Sequence, residues 1–471
     1  MSQPSVVWFR DDLRLADNPA LRVAIDRGEP IIALYVLDED SVGIRPLGRA
    51  AKWWLHGSLT SLGERLAERG GRLVLRRGPA GRVVREVVTE TGAGAVFWNR
   101  RYGGAERAVD ADLKDGLRGD GRTVESFAAS VLFEPWTVRT VGGTPYSVFT
   151  PFWRACQSMP APRAPMPEPR TVPAPDRSPA SDALDEWMLL PTAPDWAGGL
   201  RETWEPGEPA ARARLRDFLA EDLGSYDRSR DEPATGSTSR LSPHLRWGEI
   251  SPYTVWNETA DARGAGAHAA SAGRFLSEIG WREFATHTLF HFPDLATQNL
   301  RPEFDAFPWP PLQPTQLEAW QHGRTGVPLV DAGMRELWHT GIMHNRVRMV
   351  AASFLVKNLL IDWRHGEQWF WDTLVDADGA SNPFNWQWIA GSGADAAPYF
   401  RVFNPELQAA KFDPRSEYIR DWVPEHSGGE ATDAIVDLGE TRKRALAAYA
   451  QMRSTSARAD PSRSVDSSGG E

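Results

Sequence analysis

The run from Asp376 to Pro405 reads DADGASNPFNWQWIAGSGADAAPYFRVFNP and lies inside a longer organising stretch, Gly341 to Pro414. It is dense in Asn, Gln, Trp, Gly and Asp and holds neither Cys nor His. A purely structural segment of this length shows a helical stripe or strand alternation. This one shows neither cleanly. Flat aromatics mixed with neutral amides suit a flat, polar-edged ligand, with ring faces stacked and edges hydrogen-bonded. The competing reading is a loop region in a tryptophan-rich core. Glu278 and Trp281 add a second cluster: three apart on one predicted helix, they can face the same cavity.

Composition narrows the chemistry. The chain has 471 residues, enough for two or three domains with real cores. With 25% charged and 41% hydrophobic residues it has an ordinary globular composition. No apolar run approaches the roughly 20 residues that span a bilayer. The N-terminus MSQPSVVWFRDD lacks the basic and apolar regions of a secretion signal, so an intracellular protein is expected. The single Cys156 excludes an intramolecular disulfide and a multi-Cys metal site, and ten scattered His form no HExxH. No metal is expected. A net charge of −10 leaves room for a local basic groove, because affinity for a polyanion depends on the contacting face. The unusual count is 21 Trp, residues that stack on bases or flavins and carry electrons as well as fill cores.

The elements that must position these residues come in two patterns. Strand-like runs at Val6 to Phe9, Ile31 to Leu37, Arg72 to Arg76, Ala95 to Trp98 and Thr123 to Phe127 alternate with helix-like stretches. Those are Asn18 to Arg27, Arg49 to Arg69, Gly81 to Thr91 and Ala105 to Leu117. The alternation predicts a Rossmann-like α/β domain over 1–135, its parallel sheet covered on both faces. WFRDDLR stands after the first strand where a dinucleotide site would carry GxGxxG, so no dinucleotide is expected there. Residues 136–207 read as a Pro-rich linker, with eight prolines between Pro160 and Pro179. From 208 to 453 the pattern is all-α, with helices expected at Ala210 to Glu221, Ser271 to Phe290, Gly341 to Leu360 and Gly366 to Leu374. Residues 454–471 are Ser, Arg, Asp and Gly without an apolar anchor and read as a disordered tail.

Six segments in collinear order then carry a resemblance: WFRDDLRLADNPAL, TSRLSPHL, WREF, GIMHNRVRMVAASFLVKNLLIDWRHGE, DADGASNPFNWQW and APYFRVFNP. Together they closely resemble the DNA photolyase and cryptochrome family, most closely its cyclobutane pyrimidine dimer photolyases, from about Val6 to the mid-440s. The resemblance implies an N-terminal α/β antenna domain and a C-terminal helical domain holding FAD. It implies light-driven repair of UV-damaged DNA, in which excited reduced FAD passes an electron to a flipped-out dimer. A cryptochrome-like photoreceptor and a (6-4) photolyase are the alternatives.

Residue by residue, the resemblance places Thr238, Ser239, Arg240, Leu241 and Ser242 around the FAD pyrophosphate. Short hydroxyls and backbone N–H groups at a helix start are what a diphosphate needs; the plainer reading is a helix cap. Tyr226 matches a further FAD contact. Asp376 and Asp378 match carboxylates near the flavin and its hydroxyls, with Arg348 a partner for Asp376. Asn382 matches the residue facing flavin N5, where plant cryptochromes carry Asp; a neutral amide there favours repair over signalling. Trp386, Trp363 and Trp309 match an electron-transfer chain, Trp309 with a one-residue shift in its spacing to Trp320.

For the DNA, Glu278 matches the glutamate that hydrogen-bonds the dimer carbonyl, and Trp281 and Trp388 match the walls of the dimer pocket. Asn345 and Met349 in MHNRVRM face the lesion; (6-4) enzymes carry His at the position of Asn345. Arg230, Arg346 and Arg401 resemble backbone-phosphate contacts. Glu106 matches a glutamate that holds a folate antenna in some members. Arg45 to Leu59 could line a site for either methenyltetrahydrofolate or 8-hydroxy-deazaflavin, and the sequence does not choose. A cytoplasmic monomer is expected.

Overall fold

The computed structural model describes residues 3–264, 268–396, 401–428 and 433–459. They form two compact units. One comprises Met1–Arg230, Ser237–Pro293 and Asp372–Ala380; the other comprises Asp231–Gly236, Asp294–Trp371 and Ser381–Glu471.

The first unit is organised by five strands, β1 (Ser5–Phe9), β2 (Ile31–Leu37), β3 (Leu73–Arg77), β4 (Ala95–Asn99) and β5 (Thr123–Phe127). They pair in parallel in the order β3-β2-β1-β4-β5. The central strands SVVWF, IIALYVL and AVFWN are buried throughout, as a parallel sheet covered on both faces requires. Four helices cross over between strands: α1 (Pro19–Asp26), α2 (Arg49–Ala67), α3 (Ala80–Thr91) and α4 (Gly104–Gly119). α1 starts where Asn18 accepts from the Leu21 N–H at 3.1 Å and Pro19 takes the first helical position. α3 lays Val83, Val84, Val87 and Val88 on one face of the sheet and ends at Gly92, whose φ of +64° suits glycine. The order of elements and the parallel sheet agree with the sequence pattern.

The strand order reverses between β1 and β4, where open α/β sheets bind ligands. There Asn99, the last residue of β4, donates to Asp12 Oδ2 at 2.6 Å and to Asn18 Oδ1 at 2.8 Å.

The Pro-rich segment 136–207 is not bare chain. It carries α5 (Phe149–Ser158) and α6 (Gly198–Thr203). The first unit continues with α7 (Glu208–Asp217), α8 (Tyr226–Ser229), α9 (Ser242–Arg246), α10 (Pro252–Gly264) and α11 (Ala269–His291). α11 is anchored by the WREF motif: Arg282 donates to Ser130 O at 2.6 Å, and Glu283 accepts from the Leu132 and Phe133 N–H groups at 2.7 and 3.1 Å. Burial pushes the Glu283 carboxyl up to about 7, against the pull of Arg282 and those two amides. A carboxyl raised on folding contributes stability that is present below its unfolded value and lost as pH rises through about 7. One helical turn on, burial lowers His287 to about 4, an opposite dependence that a Glu283 variant leaves in place. Glu283→Gln should therefore gain stability over the wild type as pH rises from 5 to 8, by up to ~3 kcal/mol. Chemical denaturation of both proteins across that range measures it; a gap that does not widen counts against the buried charge.

The second unit is helical, with α12 (Pro314–Gln321), α13 (Pro328–Thr340), α14 (Asn345–Ser353), α15 (Trp363–Thr373), α16 (Ser381–Ala390), α17 (Pro405–Phe412), α18 (Glu417–Trp422) and α19 (Leu438–Ala459). Among the described residues no strand follows β5. Three expectations need correcting. Gly341 to Leu360 is not one helix: Gly341, at φ +68°, closes α13, and α14 gives way to a wide π-helical turn at Phe354–Asn358. The Asp376 to Pro405 run contains α16, which looked irregular because its buried positions include Asn382 and Gln387. Ser454 to Ala459, expected in the tail, complete α19. Residues 460–471 and Ala397 to Phe400 lie outside the described residues.

Candidate flavin and DNA site

In the first unit, α9 and the segment 372–380 form one piece, although some 130 residues separate them. The Ser242 hydroxyl donates to Asp376 Oδ2 at 2.7 Å, Arg246 Nε to Ala377 O at 2.8 Å, and the Trp247 indole to Val375 O at 3.2 Å. Asp378 turns back to accept from the Ala380 N–H at 2.8 Å. The buried Asp376 and Ser242, at the end of the Thr238–Ser242 segment, are therefore held side by side. Arg240 sits at φ +50°, which turns its guanidinium over the Trp204 ring at 4.7 Å. Leu241 is buried beneath. Tyr226 packs edge-on against Phe218 and Phe275, 5.5 Å from each.

Trp281, half-buried on α11, stacks on Phe149 of α5 with ring centres 3.8 Å apart and planes 10° from parallel. Glu278 lies one turn earlier and is ion-paired with Arg230. A carboxylate in such a pair accepts hydrogen bonds and donates none. Glu106 takes a place in the first turn of α4.

In the second unit, Asn382 is buried, and its amide nitrogen donates to Glu367 O at 3.0 Å and Glu367 Oε1 at 2.8 Å. Both amide protons are thereby used, and the side-chain oxygen is left as the group Asn382 can present. Glu367 was missed by sequence reasoning; fifteen residues away on another helix, it gave no local signal.

Trp386 is buried edge-on to Trp320 at 6.1 Å and to Phe370 at 4.9 Å, and any side chain at Gly366 would collide with its ring. Trp363 donates its indole N–H to Asn299 Oδ1 at 3.0 Å. Gln387 holds that loop in place, donating to Leu295 O and Gln298 O at 2.7 and 2.8 Å and accepting from Leu300 N–H at 2.8 Å. Trp309 leans on Phe307 at 4.3 Å and packs in the cluster formed by α19. Trp388 is half-buried.

On α14, Asn345 is exposed at the first helical position and Met349 follows one turn later on the same face. Arg346 pairs with Asp231 at 2.9 Å, covers the Phe412 ring at 4.3 Å, and its Nη1 lies 3.9 Å from the Met349 sulfur. Arg348 donates to Met343 O at 2.7 Å. Arg401 is exposed. Among the described residues no cluster of His, Cys, Asp and Glu could hold a metal, and no helix is long and apolar enough to cross a membrane.

The first unit fixes hydroxyl and carboxylate groups in place, and the second fixes a buried amide and packed indoles, side chains suited to a cofactor-binding protein. Comparison with known proteins gives the family. Residues 5–170 match the DNA photolyase model, and residues 275–453 match the FAD binding domain of DNA photolyase. A deoxyribodipyrimidine photo-lyase of Agrobacterium fabrum is 51% identical over 96% of this chain and 98% of its own length. Cryptochrome-1 of Arabidopsis thaliana is 39% identical over 90% of this chain and 63% of its own. A crystal structure of a bacterial class III photolyase from Agrobacterium tumefaciens superposes with a TM-score of 0.92 at 49% identity, covering 96% of this chain and 98% of that one. This chain belongs to the DNA photolyase and cryptochrome family.

The residues fit FAD. Ser242 and Asp376 offer a hydroxyl and a carboxylate already in register for a polar chain, and Asp378 keeps a second carboxylate beside them. Asn382 offers an oxygen acceptor, the partner that an N–H of a reduced ring needs.

Proposed function

We propose that this protein is a light-driven lyase that splits cyclobutane pyrimidine dimers in DNA, with FAD as its cofactor. The observation that carries the reading is Asn382, whose amide is locked by Glu367 with its oxygen left to accept. Bound FAD, in its reduced form and excited by light, supplies the electron that opens the cyclobutane ring. Thr238, Ser239, Arg240, Leu241, Ser242 and Tyr226 are assigned to its phosphates and adjoining groups, and Arg348, Asp376, Asp378 and Asn382 to its polar edges. Asn382 accepts from the ring without delivering a proton. Trp386, Trp363 and Trp309 are assigned to pass electrons toward oxidised flavin.

Trp281 and Trp388 are assigned to stack against the lesion, and Asn345 and Met349 to contact it. Arg230, Arg346 and Arg401 neutralise flanking phosphates, giving affinity without reading sequence. Residues 1–135 are taken as the antenna-type domain and 208–453 as the repair domain. The antenna, methenyltetrahydrofolate or 8-hydroxy-deazaflavin, stays undecided; an archaeal photolyase of Sulfolobus tokodaii, TM-score 0.80, is described with two FAD molecules. An enzyme of DNA works where DNA is, and the proposal extends to a cytoplasmic monomer.

The direct test is repair of a dimer-containing oligonucleotide under blue light with a dark control. Repair in the light alone is expected; flavin photoreduction without repair would favour a photoreceptor, the reading that the similarity to Cryptochrome-1 keeps in view. Glu278→Ala should lower the repair yield about tenfold, a loss of some 1.4 kcal/mol, with FAD content unchanged. The effect is below that of a fully buried hydrogen-bonding group because the Glu278 side chain is 27% exposed. Undiminished repair by this variant would return Glu278 to an ordinary surface role.

A further inference from the structure

Arg230 and Glu278 are assigned to different parts of a damaged duplex, the guanidinium to a phosphate and the carboxylate to the lesion. The structure pairs them with each other. Arg230 caps the end of α8, which packs on α11, and its Nη1 lies against Oε1 of Glu278, with the side chains 11% and 27% exposed. The Tyr226 ring lies 5.4 Å from the same guanidinium. Arg274, one turn before Glu278, approaches its carboxylate only to 3.9 Å. In the other unit the second phosphate arginine is held in the same way, Arg346 to Asp231. Each of these two cations is thus already neutralised by a carboxylate.

A guanidinium offers its planar fork equally to carboxylate and phosphate, so a phosphate that reaches Arg230 competes with Glu278. What Glu278 gains in return decides the outcome. A largely covered carboxylate stripped of its counter-ion is costly unless another donor replaces it. An undamaged duplex keeps its bases stacked and brings no such donor. A flipped pyrimidine dimer does, because each ring carries an N3–H.

We propose that Arg230 is a positioning residue with a lesion-dependent partner. It stays on Glu278 against undamaged DNA and moves to a backbone phosphate when a flipped dimer supplies donors to the Glu278 carboxylate. Discrimination between damaged and intact DNA then resides partly in a salt-bridge exchange, beyond the fit of the lesion to its walls. This rests on the dimer-repair reading of the site.

The test is binding in the dark by the FAD-loaded protein, with one duplex sequence prepared with and without a cyclobutane dimer, over a series of salt concentrations. Each phosphate contact adds about 0.9 to the slope of log K against log salt. For the wild type the slope on damaged DNA should exceed that on intact DNA by about one contact. In Glu278→Gln, which frees Arg230 without removing shape, the intact-DNA slope should rise to the damaged value, and intact DNA should bind about tenfold more tightly. With Arg230→Ala in place, the Gln substitution should change neither slope nor affinity. Arg230→Lys, which keeps charge without the fork, serves if the Ala variant loses its flavin, and should show a reduced Gln effect.

Equal wild-type slopes on the two duplexes would overturn the exchange. So would equal tightening by Glu278→Gln with and without Arg230, since that reports simple charge repulsion. Loss of light-driven repair by the wild type would sink the repair reading itself; normal repair with unchanged slopes would sink the exchange alone.

Discussion

Replacing Trp386 with Phe should slow photoreduction of oxidised FAD at least about tenfold, while chemically reduced enzyme repairs dimers at close to the wild-type rate. Repair needs only the step from flavin to dimer. Photoreduction needs electrons brought in through the protein, and Trp386 is the buried indole to which the other aromatics of α15 and α12 are fitted. Phe370 meets it at 4.9 Å and Trp320 at 6.1 Å, both at 73°, and Gly366 leaves room for its ring. A phenyl group fills most of that space but does not surrender an electron as an indole does. Trp363→Phe should cost less than Trp386→Phe, because Trp320 keeps a second indole against Trp386 when Trp363 is gone. The measurement is the decay of oxidised-flavin absorption under blue light with an external reductant, at matched FAD content. Unchanged decay in the Trp386 variant would place the electron route elsewhere.

These residues also show what a sequence can and cannot disclose. The α/β unit was legible almost strand by strand, because a buried parallel sheet writes itself as short apolar runs between amphipathic helices. SVVWF, IIALYVL and AVFWN leave little else to read. α16 was not legible, because the residues it buries include Asn382 and Gln387, whose amides are satisfied by Glu367 and by the loop at Leu295 to Leu300. A hydrophobicity pattern counts such residues as exposed. The same blindness hid the partners. Nothing local ties Glu367 to Asn382, Asp231 to Arg346 or Arg230 to Glu278, and each pair decides what its better-known member can do. Sequence could nominate Glu278 as a group for the lesion; only the fold shows it already held as an acceptor.

The lesion itself follows from one helix start. The protein should repair cyclobutane thymine dimers and give no measurable turnover of (6-4) photoproducts under the same light. Splitting a cyclobutane ring needs no net proton transfer, whereas the (6-4) lesion needs a proton as well as an electron, and a histidine beside the base can supply it near neutral pH. Asn345 and Met349 share the open face of α14, and neither is an acid. One helical step from Asn345 would by itself turn the His344 side chain by about 100°. The structure gives a stronger reason. His344 precedes α14 as its N-cap, and its Nδ1 accepts the Arg346 backbone N–H at 3.2 Å while the His344 backbone N–H donates to Glu336 Oε2 at 3.3 Å. An Nδ1 that caps a helix is held as an acceptor, and protonating it would forfeit a cap worth about 1 kcal/mol. Parallel assays on the two lesions in one oligonucleotide sequence decide the matter. Comparable turnover of the (6-4) substrate would overturn the assignment, and its loss in His344→Ala would then identify the imidazole as the proton source after all.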